Sequence, residues 1–156
     1  MESVQLNLGC YISYLPEWVN LDIDMDLKAN VYADLNHCLP FRDGCADVVL
    51  LNHVLEHLTY ERGRALIDEV HRVLRPEGAL RLSVPNLAYV CKVVSDGSFH
   101  TNPLNAFALL YGSGDLSPWQ VHRAGYTLEL LHELLSGFSK IEEEFVWHEI
   151  RLNIRK

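Results

Sequence analysis

ADVVLLNHVLEHLTYERGRALIDEVHRVLRPEGALRLSVP, residues 46–85, changes its hydrophobic rhythm twice. ADVVLL (46–51) is apolar without alternation, which suits a strand covered on both faces in a parallel sheet. Leu66, Val70, Val73 and Leu74 then recur at helical spacing, and that periodicity stops at Arg75 because Pro76 cannot continue a helix. Pro76-Glu77-Gly78 reads as a turn, and ALRLSV (79–84) as the next strand. Strand, helix, strand in that order calls for a right-handed crossover within one sheet.

The flanks repeat the theme. Val4, Leu6 and Leu8 alternate with polar residues, as do Val19, Leu21 and Ile23, so two strands precede the quoted stretch, with a shorter candidate at Val31 to Leu35. Helices are expected over 87–95, 103–111 and 128–136, the last with Thr127 as N-cap and Gly137 as the residue that ends it. EEEFVW (142–147) and EIRLNIRK (149–156) read as an antiparallel pair turning at His148-Glu149. The expectation is one α/β domain over residues 1–156: a Rossmann-like, doubly wound, mostly parallel sheet ending in an antiparallel pair. Ligands in such sheets lie at the carboxyl ends of the strands.

Composition narrows the classes of partner. Thirteen Lys and Arg stand against 21 Asp and Glu, a net charge of -8 with no basic tract, so nucleic acid is not an expected partner. No apolar run approaches a membrane span or a signal segment, so the expectation is a soluble, cytoplasmic protein with no membrane partner. Cys10, Cys38, Cys45 and Cys91 are scattered, form no C-x-x-C pair, and read as reduced core residues.

At the expected strand ends stand Gly9-Cys10, Asp22 and Asp34. A carboxylate beyond the second strand suits both hydroxyls of a ribose, and Asp34 suits an exocyclic amine. Imidazole is the side chain suited to proton transfer near neutral pH, and His53 and His57 share a face if the chain turns helical after Leu51, which makes both candidate bases.

In order, VQLNLGC, WVNLDID, ADLNHCLPF, ADVVLLNHVLEHL, HRVLRPEGALRLSVPNL and HRAGYTLELLHELLSGF resemble the class I S-adenosylmethionine-dependent methyltransferases. The resemblance is to a small bacterial subgroup of predicted methyltransferases similar to methyltransferase type 11, in a minimal form lacking N-terminal helices. It implies S-adenosylmethionine as cofactor and a small-molecule methyl acceptor, with a saccharide among the options. By the same resemblance Gly9, Cys10 and Tyr11 would meet the methionine portion, Asp22 and Ile23 the ribose, and Asp34 and Leu35 the adenine. Asn52 and His53 would lie beside the sulfonium, with His53 or His57 as base, and Asn86, His122, Arg123 and Tyr126 would face the acceptor.

Two departures shape the expectations. Where the family has further glycines, this chain has Tyr11 and Ser13, so either the loop takes another path or the tyrosine ring fills part of the pocket. Gly9 to Glu17 is also short for a parallel crossover, so the first helix is minimal or replaced by a loop. A more open site, closed by homodimerisation or by substrate, would follow. A second reading is therefore a non-catalytic binding protein on the same fold. A third comes from His53-Val54-Leu55-Glu56-His57, an H-x-x-E-H zinc-peptidase signature with Glu133 as a distant third ligand.

Overall fold

The computed structural model describes residues 3–98, 103–112 and 118–156. Five strands come first: β1 (Gln5–Leu8), β2 (Val19–Asp22), β3 (Val31–Tyr32), β4 (Ala46–Asn52) and β5 (Leu74–Pro85). β6 (Lys140–Val146) and β7 (Glu149–Arg155) are the antiparallel pair expected from the tail. Among the described residues one sheet runs β3-β2-β1-β4-β5-β7-β6, parallel from β3 to β5, with β7 antiparallel to β5. The strand order switches direction at β1 and β4, which is where such sheets open a crevice at their carboxyl ends. The fold class is the one expected from the sequence.

The helices are α1 (Tyr60–Val73), α2 (Leu87–Ser95), α3 (Pro103–Tyr111) and α4 (Leu128–Leu134). Their starts are fixed by side-chain caps: Thr59 accepts from the Arg62 N–H, Asn86 from Tyr89 and Thr127 from Leu130. Gly137 does not end α4. The helix stops at Leu134, Leu135 caps it by donating to the Leu131 carbonyl, and Gly137 is the last residue of the turn that follows. Pro76-Glu77-Gly78 is likewise no simple turn. β5 already begins at Leu74, opposite Ala46, and resumes at Ala79 opposite Val48, so the segment is a bulge with Glu77 at φ 62°.

The core lies on one face of the sheet. Leu6 and Leu8 pair across with Val49 and Leu51, then with Leu80 and Leu82, Leu152 and Ile154, all buried. Leu66, Ile67, Val70 and Val73 of α1 and Leu131 and Leu134 of α4 belong to the same cluster. The opposite face carries Gln5, Asn7, Asn20, Val48, Leu50 and Arg81 in the alternate register. Val48 and Leu50 are only half-buried, so ADVVLL is covered fully on one side, not on both.

The reason is the first crossover. Residues 9–18 contain no helix, and a polar network takes its place. The fully buried Asn20 side chain donates to the Leu15 and Trp18 carbonyls at 2.8 and 2.9 Å and accepts from Leu15 N–H and Asn7 Nδ2, both at 2.9 Å. Asn7 in turn donates to the Ser13 carbonyl at 2.9 Å. A buried amide with every group paired is tolerated where an unpaired one would not be.

A second network pins the LPF segment. Arg72 on α1 donates to both oxygens of Glu69, to the Leu39 and Phe41 carbonyls and to Asp43, while Glu69 accepts from the Leu39 N–H. The guanidinium beside Glu69 holds that carboxyl below its usual range, although burial opposes the shift. A depressed carboxylate contributes stability that is present above the ordinary glutamate value and is lost as pH falls through the lowered one. Arg72→Met is expected to cost about 2 kcal/mol at neutral pH in urea unfolding. The same variant should flatten the acid-side loss of stability, and an unchanged acid slope would show that Glu69 draws nothing from Arg72.

Candidate functional site

Beyond β1 the chain turns over the end of β2. Gly9 and Cys10 both donate their N–H to the Leu21 carbonyl, at 2.8 and 3.0 Å. Gly9 has φ 67°, and a Cβ there would sit 2.8 Å from Val54 Cγ2, so the position needs glycine for both conformation and space. Tyr11 follows at φ 43°, which is uncommon for a residue with a side chain. That turn aims its N–H at Asp22 Oδ2, 2.7 Å away. The strain is thus coupled to a charge-assisted hydrogen bond inside the crevice.

Asp22 is 7% exposed and closes β2. Its other oxygen accepts from Asp24 N–H at 3.0 Å. Since a carboxylate offers about four acceptor positions, lone pairs remain on both oxygens. At the next strand end, Asp34 accepts from the Asn36 N–H and side-chain amide, both at 2.8 Å. Partial burial opposes ionisation of Asp34, but Asn36, His37 and Arg62 together hold its carboxyl below the usual range. Burial, and then the Asp22 charge, push the Cys10 thiol up, so its sulfur is a neutral wall.

After β4, Asn52 accepts from Ser83 Oγ and His53 adopts φ 54°. The His53 ring bridges two glutamates. Nδ1 lies 2.9 Å from Glu56 Oε1, and Nε2 lies 2.9 Å from Glu149 Oε2. The Glu56 hydrogen bond, with Glu149 adding to it against the cost of burial, raises the histidine above its ordinary value. Both ring nitrogens face carboxylate oxygens, so neither is turned toward the space where an acceptor would sit. This corrects the expectation of His53 as base, and the reason is the acid on either side of it.

Glu56 and His57 sit on a single 3-10 turn, Leu55–His57. His57 Nδ1 is 3.4 Å from the Val121 carbonyl, and its ring meets His122 edge to face at 4.9 Å. His122 Nδ1 is 3.0 Å from the Leu109 carbonyl, and burial holds this imidazole below the ordinary range despite the Glu56 charge. Arg123 and Ala124 donate their N–H groups to the Glu56 carbonyl, tying this segment to the turn.

One cavity of about 1000 Å³ unites these groups. Gly9, Cys10, Tyr11, Asp22 and Ile23 line it at one end with Asp34 and Leu35. Asn52, His53 and His57 line the middle, and His122 and Arg123 the far side. Tyr11 is 44% exposed and forms part of the wall. Because the first crossover is a loop, the cavity also reaches Asn7 and Leu50 on the uncovered sheet face.

Two expected residues lie elsewhere. Tyr126 is completely buried, packs against Gly63 and Tyr60, and does not line this cavity; burial, and then the Glu56 charge, push its hydroxyl up to about 12. Asn86 is used as the α2 cap and bridges to Tyr126. Among the lining groups that sequence reading did not assign are Tyr89, Gln120 and His148, and Glu56, which it placed only in the peptidase signature, lines the cavity too. Glu149 was also missed. A strand antiparallel to β5 begins at the carboxyl end of β5, so the first residue of EIRLNIR was placed at the crevice by topology.

The peptidase ligand set is not assembled. Its first histidine is held by two glutamates, the motif occupies a loop and one short turn, and Glu133 is 70% exposed and paired with Arg64.

Residues 14–82 match the family model described as a methyltransferase domain. No curated protein matches the chain in sequence. Among solved structures, a SAM-dependent methyltransferase from Archaeoglobus fulgidus superposes with a TM-score of 0.71 at 16% identity, over 99% of this chain and 86% of that one. A Pyrococcus horikoshii protein gives 0.70 at 17% identity, over 100% and 82%. An S-adenosylmethionine-dependent methyltransferase from Mesorhizobium loti gives 0.67 at 15%, over 98% and 90%.

Loop substitutions test the strand-end geometry. Gly9→Ala is expected to destabilise the chain by about 2 kcal/mol, from positive φ and overpacking against Val54. Tyr11→Gly should stabilise it by roughly 1 kcal/mol, because the left-handed turn is retained without its steric cost. Chemical denaturation of both variants checks this, and a destabilising Tyr11→Gly would mean that the ring contributes more than its backbone costs. Residues 14–82 thus resemble a methyltransferase domain, and the chain as a whole has the fold of the S-adenosylmethionine-dependent methyltransferases it superposes on.

Proposed function

We propose that the chain is an S-adenosylmethionine-dependent methyltransferase acting on a small-molecule acceptor bound at the His57–His122 end of the cavity. The observation that carries the reading is Asp22, a nearly buried carboxylate on the cavity wall whose oxygens are oriented by Tyr11 and Asp24 and keep free lone pairs. A saccharide acceptor is carried over from the family resemblance alone.

The residues present fit the cofactor. Gly9 leaves the backbone bare where the methionine portion would lie, with Cys10 and Tyr11 beside it. Asp22 and Ile23 would hold the ribose diol, and Asp34 with Leu35 would meet the adenine. Asn52, oriented by Ser83, and His53 border the middle of the cavity, where the sulfonium would sit. When bound, the cofactor supplies an electrophilic methyl group, and a base is needed only for an acceptor that carries a proton on its nucleophile.

The chain's own contribution is then positioning. His53 braces Glu56 and Glu149, and Glu56 braces Arg123 and Ala124 through its carbonyl. The imidazoles facing the acceptor end are His57 and His122, in place of His53. A binding protein without transfer activity is the second reading, favoured by the family-model match beginning at residue 14, beyond the altered Gly9–Ser13 loop.

Calorimetric titration with S-adenosylhomocysteine tests the cofactor site. Wild-type binding should weaken at least tenfold in Asp22→Ala, a loss of about 1.4 kcal/mol or more. Absence of detectable heat for the wild type at millimolar ligand would contradict the enzyme reading, and unchanged affinity in the variant would contradict the ribose placement.

A further inference from the structure

Glu56 is an expensive residue where it stands. It is 1% exposed, and while Oε1 accepts from His53, Oε2 is completely buried with no hydrogen-bond partner. A buried carboxylate oxygen left bare is strongly unfavourable unless something cationic or protic satisfies it. Gln120 Oε1, on a residue lining the same cavity, is also buried without a partner.

Two imidazoles complete the arrangement. Ligand atoms of Glu56, His57 and His122 all lie within 4.8 Å of one another. A backbone carbonyl can only accept, so Leu109 fixes the proton of His122 on Nδ1, and Val121 does the same for His57. Each ring is left with an Nε2 lone pair. Glu56 is likewise held at its other oxygen by His53. All three side chains therefore have one heteroatom anchored and one available, the pattern in which outer partners orient metal ligands.

We propose that Glu56, His57 and His122 bind a divalent transition metal, zinc by donor type, in a site open to the cavity. Two imidazoles and a carboxylate are a borderline donor set suited to zinc, with a fourth position left for water or an oxygen of a bound small molecule. Bonds of about 2.1 Å would bring tetrahedral ligand atoms to roughly 3.4 Å apart, so the side chains close by up to ~1.4 Å, within the reach of small side-chain rotations. The ligand set differs from the H-x-x-E-H peptidase signature, because Glu56 is a ligand and His53 orients it. The site goes beyond the methyltransferase reading and does not depend on cofactor binding.

The test uses untagged protein, stripped with chelator and dialysed without cofactor against zinc, with bound metal measured by elemental analysis and cobalt(II) absorption as a second probe. One equivalent per chain is expected, with the visible spectrum of four- or five-coordinate cobalt. His122→Ala and Glu56→Gln should each weaken binding at least tenfold, and His53→Gln by about tenfold through loss of orientation. His148→Ala, another cavity histidine, should keep one equivalent. Circular dichroism establishes that each variant is folded; should Glu56→Gln not fold, His122→Ala and His57→Gln carry the test. Failure of the wild type to retain zinc, or retention unaltered in His122→Ala and His57→Gln, overturns the proposal.

Discussion

The clamp of His53 between Glu56 and Glu149 joins two parts of the chain that are 96 residues apart in sequence. His53 leaves the end of β4, Glu56 belongs to the 3-10 turn before α1, and Glu149 opens β7. An acid on each ring nitrogen favours the protonated form of the histidine, and both acids are nearly buried. Removing one member would leave uncompensated charge inside the protein, which is far more costly than the pair is stabilising. The left-handed backbone at His53 is the local cost of that arrangement. Through the Glu56 carbonyl the clamp extends to Arg123 and Ala124, so the far wall of the cavity hangs from the same three side chains.

The second constraint is an omission. With no helix between β1 and β2, Asn7, Asn20 and the loop carbonyls satisfy one another, and the sheet keeps a polar face. The cofactor end of the crevice is consequently built from turns. Gly9 and Tyr11 take positive φ, and the benefit is a backbone N–H directed at Asp22. The glycine that the loop lacks at residue 11 is thus replaced in conformation, not in space: the turn is kept and a ring is added to the wall.

Much of the fold was legible because hydrophobic rhythm and proline placement survive in any context. The quoted segment gave α1, overrunning its end by Leu74, which already belongs to β5, together with most of both flanking strands, and the tail gave the hairpin. The bulge at Pro76–Gly78 was not legible, since turn residues look alike whether a strand ends or merely buckles. Coverage of ADVVLL on one face was hidden for a similar reason: apolarity reports burial, but which face stays open depends on a crossover elsewhere. At the site, Asp22 and Asp34 were marked by following a strand. Glu149 was not, because its place depends on β7 running backwards beside β5. Tyr126 was misplaced because a polar handle on an aromatic says nothing about depth, and Gly63 makes room for it in the core.

A crystal structure of the chain soaked with S-adenosylhomocysteine puts the strand-end geometry and the cavity to a single test. Both ribose hydroxyls should lie within hydrogen-bond distance of the Asp22 carboxylate, with the Tyr11 N–H still bonded to Oδ2 and the thioether sulfur between Gly9 and the His57–His122 wall. Ligand bound away from Asp22, or a Tyr11 ring that keeps the methionine portion out of the crevice, would contradict the assignment.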